Sequence, residues 1–579
     1  MVLGKPRNRH LTTGNGRCVF LTGAQLLIEL LLEQGATTVF GYPGGAVLPI
    51  YDALYDCPSI RHILVRHEQA AVHAADGYAR VTGKAGVALV TSGPGATNAI
   101  TGIATAYMDS VPMVVLTGQV SSNLIGLDSF QEVDIFGMTM PITKHNFMVM
   151  DIAELPRIVK SAFHLATTGR PGPVLIDMPK DIMQGPAPSR HKPVELSSVP
   201  QLRGYKPDTS IPDEELQAVF GKLAQAQRPA LLVGGGCMSE AASSLLLSLA
   251  EQAAIPVVST LMGLGAFPTD HPLHLGMVGM HGTVAANKAV QQADVLLCLG
   301  VRFSDRVSGN PKSFSPHSFK IQVDIDESEL NKNVSVHLAL HGSVNEVLTA
   351  LLSGGLTGSW EEWNKQIEAF PRRIPALSTK GEALLQPQEV IRLVHAQTAG
   401  EAVVATDVGQ HQIWAAHHYP FKRPRSLLSS GGLGTMGFGL PAAIGAAVAE
   451  PGRPIVCISG DGSIQMNIQE LMTAVDYGLD LKIVILKNGY LGMVRQWQQL
   501  FHDKRYSSVK ISSPDFAGLA RTFGARGYYA RSRAEAEAVI HEAWAEPGVA
   551  VLEFDVTEEM NVYPMIPPGG DASQTIEYE

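Results

Sequence analysis

A chain of 579 residues exceeds what one hydrophobic core can organise and predicts three or four domains of ordinary size. With 45% hydrophobic and 17% charged residues it is a compact globular sequence rather than a disordered one, and its net charge of -10 excludes the basic face that nucleic acid requires. The five scattered cysteines, Cys18, Cys57, Cys237, Cys298 and Cys457, form no CxxC pair, which excludes a zinc knuckle or disulfide framework and fits a reducing cytoplasm.

The first 28 residues carry Lys5, Arg7, Arg9 and Arg17 and no acid, a faint likeness to a transit peptide, but they lack the apolar segment of a signal peptide, and an untidy bacterial N-terminus is the favoured reading. Ala24 to Glu33 then has helical apolar spacing, as do Glu68 to Val81 and Thr97 to Met108. The short apolar runs Val39-Phe40, Ile63-Leu64-Val65, Val87 to Val90 and Met113 to Leu116 read as buried parallel strands. This alternation predicts a doubly wound sheet. Gly185 to Pro212, with Pro186, Pro188, Pro193, Pro200, Pro207 and Pro212, cannot pack as a regular element. A middle block opens with Ala230-Leu231-Leu232-Val233 running into Gly234-Gly235-Gly236, and Val295 to Leu299 and Ile321 to Ile325 supply further strands. Gly354 to Pro387, with Pro371, Pro375 and Pro387, is a second change of texture. The fold class expected is α/β: three doubly wound parallel-sheet blocks, 1–188, 205–352 and 378–560, followed by a tail, 561–579. No apolar run reaches the roughly 20 residues of a membrane helix. The nearest, Gly437 to Ala449, is short and contains Pro441.

The third block holds the most informative segment. Ile455 to Ser459 reads as a strand, followed by Gly460-Asp461-Gly462-Ser463 and a helix, Ile468 to Tyr477. A second strand, Leu481 to Leu486, ends at Lys487-Asn488-Gly489-Tyr490. Both turns fall at carboxyl ends of strands, where open α/β sheets bind ligands. Asp461 offers a carboxylate, Asn488 an amide oxygen and Tyr490 a backbone carbonyl, the oxygen ligands that Mg2+ shares with phosphates. The glycines let the backbone approach closely, and the helix start after Ser463 presents N–H groups to an anion. Gly432-Leu433-Gly434-Thr435-Met436-Gly437 also satisfies GxGxxG, but it follows Leu427 to Ser430, a poor strand, and no acidic ribose clamp lies at a strand end beyond it. In the first block, Glu68 stands at the end of a strand and the start of a helix, where a carboxylate is either a favourable first-turn charge or a catalytic group.

The GDG segment resembles the motif of the thiamine-diphosphate enzymes, in which GDG is followed by two asparagines; here Lys487 replaces the first and Asn488 keeps the second. The resemblance narrows to the acetohydroxyacid synthases and covers nearly the whole chain. Its marks are Gly41 to Ala46 (GYPGGA), Thr91 to Asn98 (TSGPGATN), Phe130-Gln131-Glu132, Ile142 to Asn146, Gly169 to Pro173, Met178 to Asp181, Thr406 to His411, Tyr490 to Trp497 and Tyr563-Pro564-Met565. In the middle block Gly279 to Gly282 and Gly300 to Arg306 resemble the flavin-binding stretches of the biosynthetic members, with Ser304 where the family has aspartate.

Carried over position by position, the resemblance implies that thiamine diphosphate is held by Pro43, Glu68, Pro94 and Asn98 of a pyrimidine-binding first block. Val408, Gly409, Gln410, His411, Met436, Gly460, Gly462, Ser463, Leu491, Gly492, Met493 and Val494 of the third block complete that set, with Met436 as the apolar prop and Asp461, Asn488 and Tyr490 on Mg2+. Glu68, hydrogen-bonded to the cofactor's pyrimidine ring, is the implied catalytic carboxylate, and Gln131 and Lys180 line the approach to the reacting carbon. FAD is implied on Arg170, Gly235, Gly236, Met280, His281, Gly300, Arg302, Ser304, Arg306, Asp324 and Ile325, with no net redox role. Gly45, Trp497 and Arg306 would receive the second 2-oxo acid, Arg306 pairing with its carboxylate. The implied reaction joins pyruvate, with loss of carbon dioxide, to a second pyruvate or to 2-oxobutanoate for branched-chain amino acid synthesis. At least a homodimer and a small regulatory subunit are the implied partners. Related activities such as pyruvate oxidase or glyoxylate carboligase, and a nicotinamide- or flavin-dependent dehydrogenase that takes GxGxxG literally, are the rival readings.

Overall fold

The computed structural model describes residues 21–187, 194–196, 202, 204–207, 209–358, 360–371 and 385–577. The basic N-terminal residues, Cys18 and parts of both proline-rich linkers lie outside them. Three six-stranded sheets, parallel throughout, form the molecule. A short antiparallel pair, β1 (Leu21–Thr22) with β8 (Pro186–Ala187), closes the first block where it begins and ends.

The first sheet contains β2 (Thr38–Tyr42), β3 (Arg61–Leu64), β4 (Gly86–Val90), β5 (Met113–Gln119), β6 (His145–Met148) and β7 (Pro173–Pro179), in the order β3-β2-β4-β5-β7-β6. The third contains β15 (Val403–Thr406), β16 (Leu427–Leu428), β17 (Ile455–Gly460), β18 (Lys482–Lys487), β19 (Arg526–Ala530) and β20 (Ala550–Asp555), in the order β16-β15-β17-β18-β20-β19. Counted along the chain, both are 2-1-3-4-6-5. The middle sheet differs. Its strands β9 (Pro229–Val233), β10 (Val257–Ser259), β11 (His274–Met277), β12 (Val295–Leu299), β13 (Phe319–Asp324) and β14 (Leu338–His341) run β11-β10-β9-β12-β13-β14, or 3-2-1-4-5-6. That is the dinucleotide-binding order, whose switch point lies between β9 and β12.

The expected strands are all present, and the Leu427 to Ser430 run is a two-residue edge strand. The helix expected over Ile468 to Tyr477 is present as Glu470–Asp476, and a further short helix, Asp461–Ile464, precedes it, where the sequence had placed a helix start only after Ser463. The chain turns immediately after Gly460, so the first helical turn forms at the GDG itself.

First and third blocks share one core. The Glu68–Thr82 helix crosses the Gly439–Ala449 helix so closely that a Cβ on Gly77 would lie 2.1 Å from the Ala442 carbonyl oxygen, and one on Gly445 would lie 1.9 Å from that of Ala74. This crossing explains the apolar Gly437 to Ala449 run: the helix is buried on every side, between its own sheet and the first block. Among the described residues no helix is long and apolar enough to cross a membrane.

Candidate active site

Adjacent strands β17 and β18 pair in parallel with Gly460 opposite Leu486, so Asp461 and Asn488 leave neighbouring strand ends side by side. Asp461 is almost fully buried; its Oδ2 accepts the Gly489 N–H at 3.0 Å and the Ser513 hydroxyl at 2.9 Å. Burial pushes its carboxyl above the ordinary value, and these hydrogen bonds oppose the shift. The Asn488 amide oxygen accepts the Tyr490 N–H at 3.1 Å. Among the described residues no cluster of three or more His, Cys, Asp or Glu side chains could hold a metal by itself. A cation at Asp461 and Asn488 therefore needs oxygens from a ligand as well, which suits Mg2+ on a phosphate. Lys487 does not disturb this arrangement. Its ammonium turns to the next strand and sits 2.6 Å from Glu553.

Across from the Gly460 turn lies the turn after β15. A Cβ on Gly460 would stand 2.9 Å from His411 Nδ1, and one on Gly462 would stand 2.8 Å from Leu491, so side chains there would fill the space between the turns. His411 is buried, held neutral by desolvation with its pKa lowered to about 3, and its Nε2 has no partner. An unpaired buried nitrogen on a cavity wall is costly unless a ligand completes it. A nearby dianion would also raise this pKa and turn the atom into a donor. The Ser463 hydroxyl donates to the Val408 carbonyl at 2.9 Å and ties the two turns. The amide nitrogen of Gln410 donates to Gln496 and to the Met560 carbonyl, both at 3.0 Å.

Two acids that sequence reasoning missed hold the glycine loop carrying Met436. Asp407, fully buried with its carboxyl pushed up to about 6 by desolvation, accepts the Gly437 N–H at 2.7 Å and the Ser459 hydroxyl at 3.1 Å. Asp109 of the first block accepts the Gly431 and Gly432 N–H groups at 3.0 and 2.7 Å, and pairs with Arg80 at 2.9 Å. Ser513 likewise escaped notice. Only Asp407 lay inside a quoted motif; the others meet the site from distant parts of the chain.

These walls enclose a cavity of 1210 Å³, which continues into the middle block. Val408, Gly409, Gln410, His411, Met436, Gly460, Asp461, Gly462, Ser463, Asn488, Tyr490, Leu491, Gly492, Met493, Val494 and Trp497 line one part of it. Arg170, Gly235, Gly236, Met280, His281, Gly300, Arg302, Ser304, Arg306, Asp324 and Ile325 line the other. The glycines at the β9 and β12 ends meet each other: a Cβ on Gly236 would lie 2.7 Å from Gly300 Cα, and one on Gly234 would lie 2.1 Å from its carbonyl oxygen. Only glycine allows the two turns at the switch point to approach this closely, which brings their backbone to the cavity wall. Arg170 pairs with Asp326 at 3.0 Å and Glu329 at 2.6 Å, joining first and middle blocks at the cavity edge. Where the two parts meet, the Arg306 guanidinium stands over the Trp497 ring at 5.6 Å.

The remaining predicted residues gather elsewhere. Glu68 opens its helix after β3, and its Oε2 accepts the Asn98 amide at 2.9 Å. A Cβ on Gly95 would lie 3.3 Å from its Oε1, so the turn at Pro94 presses against the carboxylate. Gly93 packs against the Gln131 backbone, both with positive φ. Pro43 and Gly45 form the turn after β2, and Lys180 starts the short helix after β7. None of Pro43, Gly45, Glu68, Pro94, Asn98, Gln131 and Lys180 lines the cavity with Asp461. Near them Phe130, Leu127 and Leu48 are exposed at 89%, 65% and 56%, an open apolar surface.

Comparison with known proteins gives these two surfaces a common frame. The family models described as thiamine pyrophosphate enzyme match in chain order: the N-terminal TPP binding domain over residues 21–138, the central domain over 216–351 and the C-terminal TPP binding domain over 407–554. The chain is 46% identical to the acetolactate synthase large subunit of Haemophilus influenzae, over 96% of this chain and 98% of that one. It is 46% identical to the acetolactate synthase isozyme 2 large subunit of Escherichia coli, over 96% of this chain and 100% of the other. A probable acetolactate synthase large subunit of Methanocaldococcus jannaschii is also 46% identical, over 96% and 95%.

Proposed function

The chain belongs to the thiamine pyrophosphate enzymes, among the acetolactate synthase large subunits, and from that membership we propose how its residues perform the reaction. It is a thiamine-diphosphate-dependent enzyme that condenses pyruvate, with loss of carbon dioxide, to acetolactate. The bound cofactor supplies a nucleophilic carbon and an electron sink for the decarboxylation. Everything else is the work of the protein.

Asp461, the Asn488 amide oxygen and the Tyr490 carbonyl would hold Mg2+, whose charge would offset that of the diphosphate. His411 Nε2, the Gly409 turn and the helix start at Gly460-Asp461 would receive the phosphate oxygens, with Met436 as the apolar prop. Glu68 moves a proton at the far end of the cofactor, on its pyrimidine ring, with one oxygen fixed by Asn98. Gln131 and Lys180 line the approach to the reacting carbon. Arg306 pairs with the carboxylate of the second 2-oxo acid, and Trp497 bounds the pocket for its alkyl group, accepting 2-oxobutanoate as well as pyruvate. FAD would be held at the switch point between β9 and β12, whose strand order and closely packed glycine turns suit a dinucleotide. Ser304, whose carbonyl oxygen accepts the Val307 and Ser308 N–H groups, borders that crevice in place of the family aspartate.

Because Glu68 and Asp461 of one chain do not share a cavity, a second copy supplies the missing half. The exposed apolar surface around Phe130 and Leu48 supports that pairing. A small regulatory subunit is a further partner. The free thiols of Cys57, Cys237, Cys298 and Cys457 fit a cytoplasmic protein of branched-chain amino acid synthesis.

The observation that carries this reading is the placement of Asp461 and Asn488 at adjacent strand ends, facing the unpartnered His411 nitrogen. Incubating purified protein with pyruvate, thiamine diphosphate and Mg2+ tests it. Acetolactate formed without oxygen consumption is the expected outcome. Oxygen uptake would favour a pyruvate oxidase, and no cofactor dependence would overturn the reading.

A further inference from the structure

Strand β3 is an edge strand, paired only with β2, so alternate peptide groups of it face away from the sheet. On the inner side Arg61 and Val65 donate to the Thr37 and Gly41 carbonyls. On the outer side the third block of the same chain takes the place of a neighbouring strand. The Tyr477 hydroxyl accepts the Leu64 N–H at 2.7 Å and donates to the His62 carbonyl at 3.1 Å. The next outward amide is that of Arg66, two residues before Glu68. Its acceptor is Glu470, whose two oxygens lie 2.9 and 3.1 Å from it.

A carboxylate is a costly choice for this task. Glu470 is fully buried, and desolvation pushes its carboxyl up to about 7 against hydrogen bonds from Thr473 and the Arg66 N–H. A hydroxyl suffices about two turns further along, at Tyr477, so satisfying an edge amide does not itself demand an acid. What the acid adds is a two-oxygen grip on one amide, itself oriented by the Thr473 hydroxyl at 2.7 Å. That amide begins the turn Arg66-His67, in which His67 caps the helix by accepting the Gln69 N–H at 3.2 Å and Glu68 takes the first helical position. The Arg66 side chain is also tied back, to Asp476 and to the Leu64 carbonyl.

We propose that Glu470 is a positioning residue for Glu68: by gripping the Arg66 amide it fixes the turn that aims the Glu68 carboxylate at the cofactor. This rests on the reading of Glu68 given above. Its sequence position offers no hint, since Glu470 lies on the GDG side of the molecule and acts on the opposite sheet.

The test uses the full-length protein in two states. In the cofactor-free protein, amide hydrogen exchange of peptides spanning Val65 to Gln69 should quicken in Glu470→Ala by at least about 10-fold, as expected when a fixed amide is released. Unchanged exchange there overturns the proposal. In protein loaded with thiamine diphosphate and Mg2+ but no substrate, the cofactor's C2 proton should exchange with D2O about 10- to 100-fold more slowly in E470A. The KM for pyruvate should change little beside kcat. E470Q, whose amide oxygen can still accept the Arg66 N–H, should restore most of the C2 exchange rate. The double variant E68Q/E470A should be no slower than E68Q alone, because one residue acts through the other. If E470A fails to fold, E470D decides: it keeps the charge, shortens the reach and should slow C2 exchange. A normal rate in E470A or E470D beside a slow E68Q refutes the role of Glu470. A normal rate in E68Q itself refutes the assignment of Glu68, and with it the inference.

Discussion

The first and third sheets share the strand order 2-1-3-4-6-5, yet their carboxyl edges carry opposite equipment. The third presents glycine turns, a buried aspartate, an asparagine and an unpartnered histidine around a cavity. The first presents one glutamate held by an asparagine, on a surface where Phe130 is 89% exposed. One edge gathers polar groups and glycine turns; the other offers a single acid and apolar area. The lesson is that the fold supplies strand ends, while the residues placed there decide which part of a ligand each receives. The middle sheet, of different strand order, adds the switch-point crevice.

Substitutions that affect one edge and spare the other would sharpen this contrast. The largest effect is expected from Glu68→Gln, which should lower kcat by about 10²- to 10⁴-fold while leaving thiamine diphosphate uptake near normal. Steady-state rates with a binding titration would check this, and weakened uptake would break the division of labour. Asp461→Ala should do the reverse, raising the Mg2+ concentration for half-maximal cofactor binding by about 10²-fold; Ser513→Ala, which removes a hydrogen bond to Asp461, should raise it by about 10-fold. Equal effects from S513A and a remote serine substitution would show that the carboxylate is not held for a cation. Trp497→Leu should shift the product ratio towards acetolactate by about 10-fold when pyruvate and 2-oxobutanoate compete, since one methylene in an apolar pocket is worth about 1–3 kcal/mol. Chromatographic analysis of the two products measures it.

The smallest effect concerns stability. Desolvation raises the buried Asp177 carboxyl to about 7, against hydrogen bonds from Thr117 and Gln119. A carboxyl whose folded value lies above its ordinary 3.8 favours the neutral form in the folded state. Its stability contribution is therefore full at pH values below about 4 and lost as pH rises through about 7. Asp177→Asn should flatten that part of the profile and raise Tm at pH 8 by about 2–4 °C relative to its effect at pH 5, read by calorimetry. A parallel pH profile in the variant would contradict the assignment.

Much of this was legible in the sequence because it is local. Apolar runs such as Val295 to Leu299 are strands to the residue, and Asp461 and Asn488 stand at strand ends where their spacing placed them. The Glu470–Asp476 helix falls where its apolar spacing placed it, but the short Asp461–Ile464 helix at the GDG was not legible, because the turn between the two is held from afar, by Asn467 donating to the Gly437 carbonyl at 2.7 Å. Asp109, Ser513 and Glu470 were invisible for a similar reason. Each acts on a backbone or carboxylate far away in the chain, and no local pattern records such a meeting. Lys487 was legible only as a departure; its partner Glu553 lies on the neighbouring strand.

The account turns on one chain bearing two halves of different sites. Mixing and reassociating Glu68→Gln and Asp461→Ala proteins, each nearly inactive alone, tests this most directly. If Glu68 of one copy serves Asp461 of another, mixed dimers regain one intact site, and random pairing should restore roughly a quarter of wild-type acetolactate synthesis. No recovery, from chains shown to have exchanged, would place both residues in the same chain's site and contradict the account.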